Sequence, residues 1–595
     1  MDDRRWQRPN LLPFSFFFLS ILIGIVAGLG AVAFRGLIAF FHNLLFLGKF
    51  SVIYDANIHT PSSPWGPFVI LVPVLGAVGV VFLVKNFAPE AKGHGVPEVM
   101  DAVYYNKGII RPIVALIKSL ASTLSIGSGG SIGREGPIIQ IGSSFGSTVG
   151  QILRMPVWQR ITLIAAGAGG GIAATFNTPI GGVLFASEIV LHEISVRTIV
   201  PVAISTATAT YVGRLFFGAH PSFVIPGFET PYFYIDNPLL LISYIGLGVI
   251  MGLVSLIFIK SIYGFEDFFD KRIKGNYYTR HVIGMSLVGV MMYLLMITLG
   301  HYYIEGVGYS TIQDVLTGHL SQLHLLLLLF MLKLFATSLT LGSGASGGIF
   351  SPTLYLGATI GGAYGIILHQ FFPGLEIDPP AFAVAGMAGV VAGATGAPMA
   401  AIVMIFEMTL DYNVIIPMTL TVALSYGVRK ALCRESIYTM KLTRRGHRIP
   451  EALQASTHEL KRAADIMDTL VLALPARTTL GEFAQIVSKH SAVSSFLVED
   501  RSKRIVGVVS RDVALTTPDQ ARSATTLGDI TSKDFMSVSE GAALSEVLEK
   551  MRYSNASIAL VTDGKSVVST DSVKGLITKQ RIGDAMTDGL DLFLD

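Results

Sequence analysis

Apolar runs recur from about residue 12 to residue 432, many of them near the roughly 20-residue length that crosses a bilayer as a helix. Residues 14–34, 67–84, 239–259, 282–299 and 325–341 are examples, and each predicts a membrane-spanning helix. Other apolar stretches are too short to cross. They predict re-entrant or broken helices, which a membrane tolerates only where protein or water covers the backbone. A β-barrel would need shorter alternating segments. After about Tyr438 the pattern turns polar and regular, as in a compact soluble tail of roughly 135 residues. Within that tail SSFLVED reads as a strand, and LSEVLEKM carries apolar residues at helical spacing.

The apolar region is internally duplicated. Residues 118–150 and 333–365 align at a constant offset of 215 and are identical at 12 of 33 positions. The shared positions include the lysine, a GSG core, a serine, the proline and three later glycines. Residues 165–188 and 384–407 align at offset 219 with 6 of 24 identical, among them the proline and the closing glutamate. GHGVPEVMD at 93–101 aligns with GVGYSTIQD at 306–314 at offset 213. Two related halves follow, over roughly 75–195 and 285–430. Their relative direction, parallel or inverted, stays open on this pattern.

Paired glycine and proline breaks in the two halves of a transporter point to a buried ion site. In Gly133-Arg134-Glu135-Gly136-Pro137 the glycines free the backbone, and Pro137 suits the first turn of a new helix. Such a start leaves exposed amides and the positive end of a helix dipole, which favour an anion. Gly347-Gly348-Ile349-Phe350-Ser351-Pro352 repeats the arrangement, and Gly93-His94-Gly95-Val96-Pro97 is a third break of the same kind. Packing alone is the competing account of any one of them. A carboxylate at membrane depth is a functional-site hypothesis by default, which makes Glu135 the candidate gate and proton carrier, competing with the anion for the amides. A structural salt bridge to Arg134 is the alternative. Glu188 and Glu407 are duplicated, which favours a structural role such as capping a broken helix. Lys118 and Lys333 are duplicated too, and either raise the local potential or serve structure.

Composition narrows the class. Half of the 595 residues are hydrophobic (51%) and only 14% are charged; the net charge of +3 is no nucleic-acid footprint. Cys433 is the only cysteine, so neither an internal disulfide nor a thiolate metal site is expected. No HExxH motif, paired catalytic acids or nucleophile motif marks an enzyme. A magnesium carrier with a regulatory tail is the competing class, but it would want clustered pore carboxylates. Arg4, Arg5 and Arg8, with Lys441, Arg444, Arg445, His447 and Arg448, predict cytoplasmic termini on a multi-pass membrane protein.

At these residues the chain resembles the CLC family of chloride channels and chloride/proton exchangers. GREGP at 133–137 is the most specific match. GGIFSP at 347–352 and GHGVP at 93–97 are similar to two further family motifs, and FNTP at 176–179 and FEMT at 406–409 fit as well. The resemblance implies an all-α membrane domain of two inverted halves, a homodimer with one pore per subunit, and transport of chloride or similar monovalent anions. It implies anion contacts from His94, Gly95, Arg134, Gly136, Ile349, Phe350 and the Tyr438 hydroxyl, with Glu135 as gate. His94 stands where the family places a serine, and a histidine there can donate to an anion or titrate near neutral pH. Ile189 stands where exchangers carry an inner proton glutamate. That favours a passive voltage- or pH-gated channel, with exchange as the alternative and His94 or His192 as its candidate proton relays.

The tail resembles a tandem pair of CBS domains, about 464–523 and 527–586, an α/β module. An adenine nucleotide near Ser510, Asp512 and Thr578 is what such a pair would hold, but Val513 and Arg581 occupy the positions of the ribose-binding aspartates. A regulatory or dimer-stabilising role is therefore expected, with no other cofactor and no metal. The domain reading is 1–12 cytoplasmic segment, 13–438 membrane domain, 439–460 linker and 461–595 tail.

Overall fold

The computed structural model describes residues 13–224, 238–375, 377–447, 449, 462–490, 492–513, 525–563 and 569–590. Arg4, Arg5, Arg8, Arg448 and most of the expected linker lie outside them. The chain divides into two compact units, Met1–Ile449 and Pro450–Asp595.

The first unit is helical. Its first half holds α1 (Pro13–Leu47), α2 (Leu71–Phe87), α3 (Val96–Tyr104), α4 (Ile113–Gly127), α5 (Glu135–Ile152), α6 (Val157–Phe176), α7 (Pro179–Phe185) and α8 (Val196–Phe217). Its second half holds α9 (Pro238–Lys271), α10 (Tyr277–Leu299), α11 (Tyr309–Leu316), α12 (Leu323–Ser343), α13 (Phe350–Phe371), α14 (Pro379–Thr395), α15 (Pro398–Thr409) and α16 (Ile415–Leu432). A short α17 (Ile437–Arg444) follows. The expected linker from 439 therefore begins inside a helix, because Ser436 caps α17 through the Thr439 amide. Among the described residues six helices are long and apolar enough to span a membrane. Five contain the segments picked out by hydropathy. The sixth, Val196–Phe217, is threonine-rich and has a mean hydropathy of only 1.3, so its signal is weaker.

The duplication is visible atom by atom. Glu188, in a π-helical turn that continues α7, accepts from the amides of Met399 (3.1 Å) and Ala400 (2.7 Å) at the start of α15. Glu407 on α15 accepts from Ile180 (3.1 Å) and Gly181 (2.7 Å) at the start of α7. Each half thus caps the broken helix of the other. Lys118 donates to the carbonyls of Ala91 (3.0 Å) and Gly93 (2.7 Å), and Lys333 to those of Ile304 and Gly306, both 3.0 Å. Both lysines are fully buried, so they brace the loops before α3 and α11 and do not snorkel.

Close helix contacts are duplicated as well. A side chain on Gly142 of α5 would collide with the Gly167 carbonyl of α6, and one on Gly167 with the Gly142 carbonyl. Gly357 of α13 and Gly386 of α14 repeat the relation. Small residues of this kind let membrane helices approach backbone to backbone. At the centre, equivalent residues meet: Gly133 N donates to Gly348 O (2.8 Å) and Gly348 N to Gly133 O (2.6 Å). This antiparallel exchange is what a local two-fold axis between the halves produces.

The second unit is a repeated β-α-β-β module. Strands β1 (Leu472–Pro475), β2 (Ser495–Glu499) and β3 (Ile505–Ser510) form one sheet, with α19 (Leu480–Lys489) between β1 and β2. Strands β4 (Phe535–Ser539), β5 (Ile558–Thr562) and β6 (Val573–Thr578) form the other, with α21 (Leu544–Tyr553) between β4 and β5. In both sheets the first pair is parallel and the second antiparallel. The short helix α18 (Ala463–Ile466) packs into the core of the second repeat, and α20 (Leu527–Ile530) into that of the first. A shared cluster of Leu497, Val508, Leu560 and Leu576 joins the repeats. A final helix, α22 (Lys579–Leu590), closes the module.

The reciprocal caps predict that Glu407→Ala leaves the amides of Ile180 and Gly181, the latter buried, without their acceptors and destabilises the protein by about 1–3 kcal/mol. Thermal unfolding of the purified protein in detergent measures this as a lowered midpoint, and Glu407→Gln, which keeps one acceptor oxygen of the two, lowers it less.

Candidate functional site

The three glycine breaks converge. Gly93 N donates to Ala345 O (3.0 Å), Gly347 N donates to Gly93 O (3.2 Å), and Gly133 pairs with Gly348. Beside them, Ser346 Oγ donates to Ala91 O (2.7 Å) and meets Ser122 Oγ at 2.9 Å. These contacts bring the starts of α3, α5 and α13 to one buried place. Only glycine fits at two of the junctions: a side chain on Gly136 would strike the His94 carbonyl, and one on Gly348 would stand 2.8 Å from the Gly136 amide.

Helix starts leave amides without intrahelical acceptors. The amides of Gly136, Ile349, Phe350 and Ser351 have no backbone acceptor among the described residues. Into this amide-rich junction the Glu135 side chain folds, 1% exposed. Its Oε1 accepts from the Tyr309 hydroxyl (3.2 Å) and from the Ser351 hydroxyl, and those two hydroxyls are 2.9 Å apart. Its Oε2 has no hydrogen-bond partner among the described residues and lies against Gly133 and Gly348. The carboxylate thus lies beside helix-start amides that no backbone carbonyl takes up, and it bonds none of them among the described residues.

Arg134 does not pair with this carboxylate. Its guanidinium lies over the rings of Phe176 (5.7 Å) and Tyr309 (5.1 Å), turned toward a separate cavity. The repeat partner of Glu135 is Phe350, buried against Phe176 with ring centroids 5.3 Å apart. Gly95 precedes α3 at a positive φ of 88° and faces the Gly136 carbonyl.

On another side of the junction the His94 ring is buried, and its Nδ1 has no partner among the described residues. Its ring meets the Tyr263 ring edge-on at 6.3 Å, and the Tyr263 hydroxyl donates to Ile437 O at 2.5 Å. That bond fixes the first turn of α17, where Tyr438 is 2% exposed. Nearby, Glu98 binds Lys441 (3.4 Å) and Arg445 (2.8 Å). Ile189 is buried in the π-helical turn after α7. His192 follows with a positive φ of 48°, its Nδ1 unpartnered among the described residues and its ring edge-on to Tyr104 at 5.9 Å.

Sequence reasoning missed Tyr309, Ser351 and Tyr263. Tyr309 lies in a duplicated break, but its equivalent is Val96, so the repeat gives no sign of a hydroxyl there. In the tail, Ser510 and Thr578 end β3 and β6. Ser510 Oγ accepts from the Asp512 amide (3.3 Å), and Thr578 Oγ1 from the Arg581 amide (3.1 Å). Val513 packs against the core of the first repeat. Residues 514–523 of the expected first CBS domain lie outside the described residues. Among the described residues no group of three or more His, Cys, Asp or Glu side chains is placed to hold a metal.

The sequence profile of the voltage gated chloride channel family matches residues 76–430, and that of the CBS domain matches 463–515. The H(+)/Cl(-) exchange transporter ClcA of Vibrio cholerae serotype O1 (strain M66-2) is 33% identical over 445 residues, covering 73% of this chain and 90% of that protein. A putative chloride channel protein, ClcB-like, of Ralstonia nicotianae is 32% identical over 432 residues, covering 71% and 95%. The crystal structure of a slow cyanobacterial Cl−/H+ antiporter superposes with a TM-score of 0.63 at 26% identity, covering 73% of this chain and 99% of that one.

The junction predicts that Gly136→Ala, which must push the His94 carbonyl away, weakens anion binding by roughly tenfold or more, about 1.4 kcal/mol. Chloride titration of the purified protein by calorimetry measures it. Gly264→Ala, where a side chain would meet nothing within 4 Å, leaves binding unchanged.

Proposed function

The chain belongs to the voltage gated chloride channel family, and from that premise we propose that it exchanges chloride, or a similar monovalent anion, for protons across a lipid bilayer. The observation that carries the reading is the buried Glu135 carboxylate, held by the Tyr309 and Ser351 hydroxyls beside helix-start amides that have no backbone acceptor among the described residues, with Oε2 unpartnered there. An ionised carboxylate and an anion compete for the same amides. Protonation removes the charge that holds the side chain there and weakens its two hydroxyl contacts, since hydrogen bonds to charged groups are worth about 1.5–3 kcal/mol. The anion then takes the vacated place while the carboxyl carries its proton away. Alternating occupancy of one place by two species is the elementary step of exchange.

The apolar Ile189 argues for a passive channel. The names of the relatives favour exchange, because the ClcA proteins and the cyanobacterial antiporter are exchangers. Exchange without an inner glutamate needs another proton carrier. His94 is the best placed, buried beside the junction with a free Nδ1 and an edge-on contact to Tyr263. His192, beyond Ile189, is the second candidate. Chloride contacts come from the amides of Gly136, Ile349 and Phe350, with Gly95, His94 and the Tyr438 hydroxyl on the adjoining wall. Arg134 acts at a distance through its charge. A magnesium-carrier reading has no support in these breaks, which present amides and not clustered carboxylates.

The family resemblance supports a homodimer with cytoplasmic termini. The tail then serves regulation or dimer stability. Val513 and Arg581 argue against strong nucleotide binding there.

Reconstituted vesicles with a chloride gradient and a pH electrode test the proposal. Wild type moves protons uphill as chloride runs down. Glu135→Ala keeps chloride flux and abolishes proton movement. His94→Ser keeps chloride flux and loses at least tenfold in proton flux. Chloride flux without proton movement in wild type establishes the passive channel instead. Tyr309→Phe removes a donor from the docked carboxylate and raises chloride flux, measured in the same assay; unchanged or lowered flux contradicts the role assigned to that hydroxyl.

A further inference from the structure

A cavity of about 220 Å³ adjoins Tyr309, separate from the His94 and Tyr438 wall. It is lined by three arginines, Arg35, Arg134 and Arg214, together with Asn177 and a single acid, Asp55. Arg134 is 8% exposed, and its Nε has no hydrogen-bond partner among the described residues. Neither Arg35 nor Arg134 is ion-paired to a carboxylate among the described residues. Both are held by ring faces, Arg134 over Tyr309 at 5.1 Å and Arg35 over Phe217 at 4.4 Å. Arg214 is oriented by Asn177, whose Oδ1 accepts from Arg214 Nε at 2.6 Å. Asn177 is fixed in turn as the left-handed cap of α6, with φ 62°. Asp55 is engaged locally, accepting from the Asn57 amide at 3.0 Å.

Three guanidinium groups against one carboxylate leave an excess of positive charge, which is unfavourable in a partly buried place unless another anion compensates it. Chloride offers a sphere, and a helix-start amide serves it well. A guanidinium is a planar fork whose paired donors match oxygens held in fixed geometry. The cavity also exceeds one small ion: a water takes about 30 Å³ of liquid volume, so several water-sized groups fit. We propose that this cavity binds a tetrahedral oxyanion, of the inorganic sulfate or phosphate class, between Arg35, Arg134 and Arg214, and that the bound oxyanion blocks the approach to Tyr309 and Glu135. Its larger size and double charge keep it from passing the glycine junction, so it acts as a blocker and not as cargo.

Two measurements on the full-length protein separate binding from transport. Calorimetry in detergent, titrating sulfate or phosphate in chloride-free buffer, shows saturable binding by wild type. Arg214→Gln weakens it by about tenfold or more, as loss of a charged hydrogen bond implies. Arg214→Lys, which keeps the charge but loses the fork, weakens it as well and guards against misfolding of the first variant. In reconstituted vesicles at fixed ionic strength, either oxyanion on both sides slows chloride flux in wild type. Arg214→Gln shows wild-type flux without oxyanion and a raised half-inhibitory concentration with it. No saturable binding, or inhibition identical in wild type and both Arg214 variants, overturns the proposal. The calorimetric arm does not depend on whether chloride moves with protons, so its failure is distinct from failure of the exchange reading.

Discussion

A helix that starts inside a membrane leaves its first amides without acceptors, and no water is at hand to satisfy them. This chain contains several such starts, and the structure follows from how each is answered. At α7 and α15 the answer is permanent, because Glu407 and Glu188 cap them. At α5 and α13 the two glycines of the axis pair with each other. The remaining amides have no backbone acceptor among the described residues, and beside them stands a carboxylate held through one oxygen by two hydroxyls. Permanent caps build the scaffold, and uncapped amides leave a place that an anion can take.

The duplication separates these roles. Residues that match between halves turn out to brace the fold: Glu188 with Glu407, Lys118 with Lys333, and the Gly142–Gly167 contact with the Gly357–Gly386 contact. Residues that differ between halves gather at the site. Glu135 stands opposite Phe350, Ser351 opposite Gly136, Tyr309 opposite Val96, and Arg134 opposite Ile349. A two-fold scaffold supplies two equivalent helix starts, and the departures from symmetry place one carboxylate with two hydroxyl donors between them. Chemistry lies where the repeat is broken.

Most of the membrane fold was legible because hydropathy and self-similarity are both carried by many residues. Val196–Phe217 was harder to see, since its threonines and serines dilute the hydropathy while bonding back to their own helix, as Thr206 does to Ala203 and Thr208 to Ile204. Glu135 was legible from its cost at membrane depth. Tyr309, Ser351 and Tyr263 were not, because a hydroxyl is unremarkable in sequence until a distant partner is known; Tyr309 and Glu135 are 174 positions apart. The boundary after Tyr438 was placed by composition, yet α17 runs on to Arg444 because basic residues suit the last turn of a helix.

The central claim is that the Glu135 carboxylate occupies an anion's place. The most direct test is a crystal structure of Glu135→Gln grown with bromide, whose anomalous signal locates the ion. The account predicts bromide at the place of the Glu135 carboxylate, beside the Gly133–Gly348 pair and touching the amides at the start of α13, with the glutamine side chain displaced. A glutamine still docked on Tyr309 and Ser351, with bromide absent from that junction, would contradict it.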